Sequence, residues 1–346
     1  MSCKKNPQTG ALFFIKGGKK MENTVLNIGI DVGNYDTKSQ HTVTPSSFVA
    51  YDLDQLIAEE ELSFGRKYYV PTNERNCQEK DKTLSEHALI MTLFGIAKEV
   101  IAQVEREGEP LSCLQQKIDE VTHIRLGVGL PVGFFSELSQ KTHRYYTQIF
   151  SNGVCFAYKG KSTGGQYVYF NITSVDKVGV YPQDVIGVIR NPKLTIPQAT
   201  GDYYIIGIGG GTLDLIPMSG GPQVQNCVSL ARGTTEMYKA ISSRLQQNGF
   251  GDKDYKLIEN VLLGKRTYIS EEERKMIVSE TQNYANKIIN DLQNRGLKLG
   301  DYPSVFIGGG ALLLRKYFEE SGVFVKTEFV ENVRENAVYY AKAVAA

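Results

Sequence analysis

Short apolar runs that stop at glycine turns dominate the pattern along the chain. Val25–Val32 is the first: β-branched, apolar and ending at Gly33, it reads as a buried strand. Residues 41–49 follow as its hairpin partner, interrupted by Pro45. Residues 51–83 are polar and mixed, with a short strand at 67–70. Residues 84–104 are then strongly apolar with no breaker beyond one glycine, which predicts a long, largely buried helix. A strand at 122–128 runs into Gly129-Leu130-Pro131 and a helix over 133–149. Short strands at 154–158, 167–172 and 176–180 lead to a helix that starts near Pro182.

The segment 191–200, which carries Pro192 and Pro197, is the clearest boundary. Beyond it the pattern predicts strands at 203–208 and 213–217, a helix over 234–247, a loop-rich stretch at 249–268, a long helix over 271–294 and a last central strand at 304–307. In the tail 332–344, Val333, Ala337, Tyr340, Ala341 and Val344 recur at helical spacing and should pack on a core.

Two of these runs echo one another. Ile28-Gly29-Ile30-Asp31-Val32-Gly33-Asn34 resembles Ile206-Gly207-Ile208-Gly209-Gly210-Gly211-Thr212, and both turn back into a further strand. Equivalent hairpins in two halves predict a duplicated α/β architecture with a cleft between the halves; chance likeness of glycine turns is the plain alternative. Glycine turns at strand ends also suit phosphate, because backbone N–H groups converge where side chains are absent. Four candidates occur: Asp31 to Asn34, Gly127 to Gly129, Gly209 to Thr212, and Gly308-Gly309-Gly310. Two common nucleotide motifs are excluded. Gly160-Lys161-Ser162 lacks the earlier glycine of a Walker A loop, since that position is Cys155, and no strand-to-helix segment reads G-x-G-x-x-G.

This combination resembles the superfamily of actin, sugar kinases and heat-shock-chaperone ATPases. Ile30 to Asn34 with Lys38 is similar to its first phosphate hairpin, and Gly209-Gly210-Gly211-Thr212-Leu213-Asp214 to its second. Val305 to Ala311 resembles the adenosine motif, and Leu126 to Val132 the first connecting segment. The order and spacing of all four match over about residues 25–345. Asp31 through Lys38, Thr44-Pro45-Ser46-Ser47-Phe48, Asp81-Lys82-Thr83 and Glu335-Asn336-Ala337 further resemble the bacterial plasmid-segregation actins of the ParM type.

The resemblance implies an α/β, duplicated actin-like (ribonuclease H-like) fold with two lobes around a nucleotide cleft. Residues 1–20 read as a disordered leader or extension, and the resemblance implies a first lobe at 21–200 with 50–108 as a small inserted subdomain and a second lobe at 201–346 with about 245–285 as its own. It implies ATP, or GTP, with Mg²⁺. Asp31 would face the metal through its water ligands, since Mg²⁺ keeps much of its hydration; a turn-capping Asp is the competing reading. Lys38 would neutralise phosphate, or stand solvated at a strand edge. Gly33, Asn34, Gly209, Gly210, Gly211 and Thr212 would serve the phosphates, and Gly308, Gly309 and Gly310 the base and sugar. Glu236 would meet a ribose hydroxyl and Lys239 flank the base, although a solvated helix face accounts for both equally well. Gln183 would orient the attacking water, with Asp184 as the fallback. A glutamine is a poor base, which implies slow turnover.

One departure stands out. The second hairpin of the superfamily opens with an aspartate that shares the metal, and here that position is Gly207. Either Asp214 compensates through a relayed water, or the metal is held by Asp31 and phosphate alone.

Composition adds exclusions. At 346 residues, 41% hydrophobic and 22% charged, the chain is an ordinary globular one with room for two cores. A net charge of +1 gives no broad field for nucleic acid or an anionic membrane. Five scattered cysteines and four scattered histidines form neither a disulfide framework nor a zinc motif, and fit a reducing cytoplasm. The apolar run at 11–15 is too short for a signal peptide, and no later stretch is expected to reach the length needed to span a bilayer.

The resemblance therefore implies a filament-forming ATPase that assembles with itself and serves plasmid DNA segregation through a DNA-binding adaptor, and the composition fits a cytoplasmic chain that touches neither nucleic acid nor membrane directly. Two alternatives stay open: a small-molecule kinase of the same fold, and a nucleotide-binding filament scaffold that barely hydrolyses.

Overall fold

The computed structural model describes residues 2–5, 12–15, 25–55, 57–73, 85–199, 201–222 and 226–346. The chain forms two compact units: Met1–Leu130 with Phe134–Ile186 and Arg334–Ala346, and Pro131–Gly133 with Gly187–Val333. The segment Asp81-Lys82-Thr83 lies outside the described residues.

In the first unit, β1 (Ser2–Lys5) and β2 (Leu12–Ile15) pair antiparallel, in a segment read from the sequence as a leader without regular structure. β3 (Val25–Val32), β4 (Asp36–Lys38) and β5 (Val43–Pro45) then run antiparallel in succession. The return strand is therefore the polar tripeptide Asp36–Lys38 and not 41–49. The apolar stretch expected there splits at Pro45 into β5 and β6 (Phe48–Tyr51), which belongs to another sheet. β7 (Glu61–Phe64), β8 (Lys67–Pro71), α1 (Glu86–Arg106), α2 (Leu114–Glu120), β9 (His123–Leu130), α3 (Val132–Phe150), β10 (Val154–Lys159), β11 (Val168–Ile172) and β12 (Ser174–Pro182) follow. One sheet has the order β12-β9-β3-β4-β5, with β12, β9 and β3 parallel; the other is antiparallel, β11-β10-β7-β8-β6.

α1 starts at Ser85, whose hydroxyl accepts from the Ala88 N–H. By length and mean hydropathy (1.4) this helix is sufficient to cross a bilayer, contrary to the expectation from sequence. Its apolar residues are instead buried: Ile90, Met91, Phe94, Ile96 and Val100 lie in one core with Ile28, Ile30, Leu126 and Phe156.

The helix Glu335–Ala345 returns to this unit from the far end of the sequence, although the sequence reading placed 201–346 in one lobe. It packs directly on β3 and β9 because both strands present glycine. A side chain at Gly29 would meet the Ala341 nitrogen at 2.7 Å and the Ala337 oxygen closer still, and one at Gly127 would meet the Tyr340 oxygen at 2.6 Å. Gly127 and Gly129 are thus strand residues, the first admitting a helix backbone and the second the Tyr340 ring, which corrects their reading as a phosphate turn.

After the short α4 (Val185–Ile189), the second unit contains β13 (Tyr203–Ile208), β14 (Leu213–Met218), β15 (Val228–Leu230), α5 (Thr234–Gln247), α6 (Tyr255–Leu262), α7 (Glu271–Asn294), β16 (Ser304–Ile307), α8 (Gly309–Glu320) and β17 (Thr327–Phe329). Its sheet order is β15-β14-β13-β16-β17, with β13, β16 and β17 parallel. α6 interrupts the stretch read as loop: Asp254 accepts from the Lys256 N–H, and Ile258 and Val261 supply a small buried face.

α7 opens on a capping box in which the Ser270 hydroxyl accepts from the Glu273 N–H and Glu273 accepts from the Ser270 N–H. The bond from Lys253 (2.7 Å), reinforced by Ser270, holds the Glu273 carboxyl at about 2 against an ordinary 4.5. A carboxyl depressed in the folded state adds stability above its unfolded value and loses it as pH falls through the folded one. Glu273→Gln should therefore lower stability by about 1 kcal/mol at pH 7. Denaturant titrations should show the difference shrinking below pH 4.5 and gone near pH 2.

Candidate functional site

Three segments of the second unit meet at the end of β13. The chain reverses between Ile208 and Leu213, with the Gly209 N–H donating to the Thr212 oxygen (2.9 Å). The carbonyls of Gly209 and Gly210 accept from Thr234 and Thr235 at 3.0 and 2.9 Å, so the first turn of α5 pins the glycine turn by its backbone. Only glycine fits at 233, because a side chain there would run into the backbone of Gly210 and Gly211. α8 begins at the same place. Gly308 has φ +103°, a side chain on it would meet the Ile208 oxygen at 2.5 Å, and one on Gly310 would meet Ile208 and Thr234 at 2.6 and 2.7 Å.

Among the described residues, the N–H groups of Gly210, Gly211 and Thr212 have no protein acceptor, whereas that of Gly209 is committed within the turn. The N-termini of α5 and α8 bring their own positive ends to the turn. Space above Gly309 is open. Converging free amides and two helix N-termini at one glycine turn form an anion cradle.

Glu236 lies in the first turn of α5, and Lys239 one turn on is exposed. Glu236 is not free. Arg232 donates to it at 2.6 Å, Lys287 at 3.2 Å and the Tyr284 hydroxyl at 3.4 Å, while Arg232 also pairs with Asp291 (2.8 Å). Burial works against its ionisation, but the bonds from Arg232 and Lys287 outweigh it and hold the carboxyl below its usual range. Arg232 and Lys287 carried no signal in the sequence, since only the tertiary fold brings α7 to α5.

In the first unit the β3–β4 hairpin has the same construction. The Gly33 N–H donates to the Asp36 oxygen (3.1 Å), as that of Gly209 does to Thr212, which makes Gly33 and Gly209 equivalent. Asp31 then corresponds to Gly207, and the cross-strand partners Lys38 and Asp214 correspond to each other. Asp214 stands directly opposite Gly207 on the return strand. Asp214 is buried and accepts from the Thr212 hydroxyl (3.0 Å).

Asp31 is 4% exposed, yet its carboxylate receives no hydrogen bond or ion pair among the described residues. Lys38 likewise makes no ion pair among them, and the Asn34 side-chain oxygen is buried with no hydrogen-bond partner there. Buried charge and buried acceptors left unpaired are costly, and the simplest remedy is a cation. No cluster of three metal-ligating side chains exists among the described residues. A single buried carboxylate suits Mg²⁺, which keeps its waters, better than an ion that needs a full protein cage.

Gln183 follows β12, its N–H donating to the Leu130 oxygen (2.8 Å). The next residue, Asp184, is buried and has φ +65°, a backbone state costing of order 1–3 kcal/mol outside glycine. Asn336 clasps it: the Asp184 N–H donates to Asn336 Oδ1 (3.1 Å), and Asn336 Nδ2 donates to Asp184 Oδ1 (2.8 Å). The strained residue is thus held by Asn336 just past the carboxyl end of β12.

Residues 205–320 match the family model of the archaeal actin homologue MreB-like C-terminal domain. No curated protein sequence matches the chain. Among solved structures, the archaeal actin homologue Ta0583 is 17% identical, with 92% of this chain and 99% of that one covered and a TM-score of 0.68. The apo psk41 ParM protein is 14% identical (94% and 98% covered, TM-score 0.62). ParM in a 15-stranded filament from Clostridium botulinum is 13% identical (92% and 98%, TM-score 0.63). With its α/β units, glycine hairpins and this likeness over nearly the whole chain, the protein is an actin-fold protein.

Proposed function

We propose that the protein binds ATP with Mg²⁺, assembles into nucleotide-dependent filaments and hydrolyses ATP slowly to ADP and phosphate. The observation that carries this reading is the cradle in the second unit, where the amides of Gly210, Gly211 and Thr212 stand free at two helix N-termini. Fold relatives support it: Ta0583 is known as a complex with ADP, and the Bacillus thuringiensis ParM with ATP.

In this reading the free amides and Lys38 bind phosphate oxygens, Gly308 to Gly310 let the base and sugar approach backbone, and Glu236 meets the ribose. Held by Arg232 and Lys287, Glu236 stays ionised and fixed in rotamer, which suits an acceptor for a hydroxyl. Gln183 orients water and Asp184 beside it carries the acid. Mg²⁺, held by Asp31 and Asp214, would neutralise charge that develops on the phosphates. Filaments built from the chain itself fit the near-neutral net charge, as does plasmid DNA segregation through a DNA-binding adaptor.

Sedimentation with ATP, GTP, ADP or no nucleotide, with phosphate release read on the same samples, tests the proposal. A pellet is expected only with a triphosphate. A chain that stays monomeric at high concentration with ATP and Mg²⁺ would refute the assembly. Gly207 favours one second reading, a scaffold that polymerises and barely hydrolyses, for which filaments would form without measurable phosphate release.

A further inference from the structure

Tyr340 has no part in the chemistry set out above, yet its hydroxyl is the most tightly constrained polar group near it. The residue is fully buried, and the hydroxyl has no hydrogen-bond partner among the described residues. Such orphans are rare in a folded interior and call for an explanation. The side chain is not free to turn away. Its ring stacks on Tyr181 (5.8 Å, 14°), the hydroxyl lies so close over Gly129 that no side chain would fit there, and the helix backbone rests on Gly127 and Gly29.

The hydroxyl therefore stands at the carboxyl ends of three parallel strands. Gly129 pairs with Tyr181 of β12 on one side, and on the other Val128 pairs with Ile30, the residue before Asp31. Burial, and after it the charges of Asp31 and Asp184, push the ionisation of Tyr340 well above the usual range. Asp31 has an unfilled acceptor set among the described residues, and Asp184 is already clasped by Asn336. Asn336 and Tyr340 are four residues apart on one helix, so a single rigid element addresses both acids.

We infer that Tyr340 is a positioning residue for the nucleotide reaction: its hydroxyl donates to a water buried between the carboxylates of Asp31 and Asp184, holding the first toward the metal and the second beside Gln183. The inference rests on the nucleotide-binding reading. A polar partner shared by two acids tightens both, as outer-shell groups do at metal sites.

The test is Tyr340→Phe in the full chain, melted without ligand and with ADP at increasing Mg²⁺, and assayed for phosphate release. Because the hydroxyl has no protein partner to lose, the ligand-free melting temperature is expected to be unchanged or higher. The Mg²⁺ concentration for half-maximal stabilisation by ADP should rise about tenfold, and kcat should fall about tenfold with KM for ATP within about threefold. A lower ligand-free melting temperature with a wild-type Mg²⁺ requirement would show a merely structural hydroxyl and overturn the inference. Asn336→Ala, which releases Asp184 alone, should lower kcat and leave the Mg²⁺ requirement at the wild-type value; an equal Mg²⁺ shift in both variants would also overturn it. A wild-type protein that ADP and Mg²⁺ do not stabilise at all would instead bring down the nucleotide reading itself.

Discussion

Alanine at position 29 should destabilise the protein by about 3 kcal/mol or more, the upper end of what overpacking does. The added carbon would lie 2.7 Å from the Ala341 nitrogen and nearer still to the Ala337 oxygen. Both are backbone atoms of a helix, which cannot rotate aside as a side chain would. The helix would have to lift from β3 and β9, and Ala337, Tyr340 and Val344, all buried without residue, would lose their packing together. Gly133→Ala is the matched control: that glycine lies inside α3 with nothing within 4 Å of an added carbon. Helix propensity should make it neutral to stabilising by about 0.5–1 kcal/mol. Chemical denaturation of the two variants reads the contrast, and a Gly29→Ala protein as stable as the control would disprove the tight seating of the helix.

Asp31→Asn should separate stability from function. The amide is nearly isosteric and removes a buried charge that no residue of the described chain neutralises, so the ligand-free protein should gain about 1–2 kcal/mol. The same change removes the carboxylate assigned to the metal. Phosphate release should fall about 10²–10³-fold, the scale seen when one preorganised electrostatic group is removed from a reacting centre. Nucleotide-dependent sedimentation should be lost at Mg²⁺ concentrations that saturate the wild type. A destabilised variant would show that Asp31 is paired in the free protein, and a variant with full activity would remove Asp31 from the site. Proteins commonly hold such strained charges where ligands bind, and give up stability to do so.

Local pattern reveals a good deal of this fold and less of the site. Strands β3, β13 and β16 and helices α5 and α7 lie where the apolar runs put them. The return strand β4 escaped because Asp36–Lys38 is short and polar and owes its strand form to pairing with β3 and β5. α8 escaped because Gly309 and Gly310 open it, and glycine there reads as a turn until Ile208 and Thr234 are seen to need the space. The glycines of the second hairpin were legible as a turn, but not which of them keep free amides, because that is decided by the hydrogen bonds of the turn itself. Nor could pattern pair Asp184 with Asn336 or set Tyr340 over Gly129: those contacts join distant parts of the chain, and neither partner has a local motif. The register of the two hairpins, which puts Asp214 opposite Gly207, likewise needed the ladder and not the letters.

The glycine groove on β3 and β9 also sets an order on the ribosome. Its filler begins at Arg334, so the whole of Gly187–Val333 must emerge before the first unit can close, whereas the second unit waits for little that comes later. A nascent chain should therefore carry a finished second unit beside an open apolar sheet, with Asp184 not yet clasped. Contacts this distant in sequence are slow to form. The first unit is accordingly the part that a chaperone would need to shelter during translation, and it acquires the Asn336 clasp and the cover of its glycine groove in one late step.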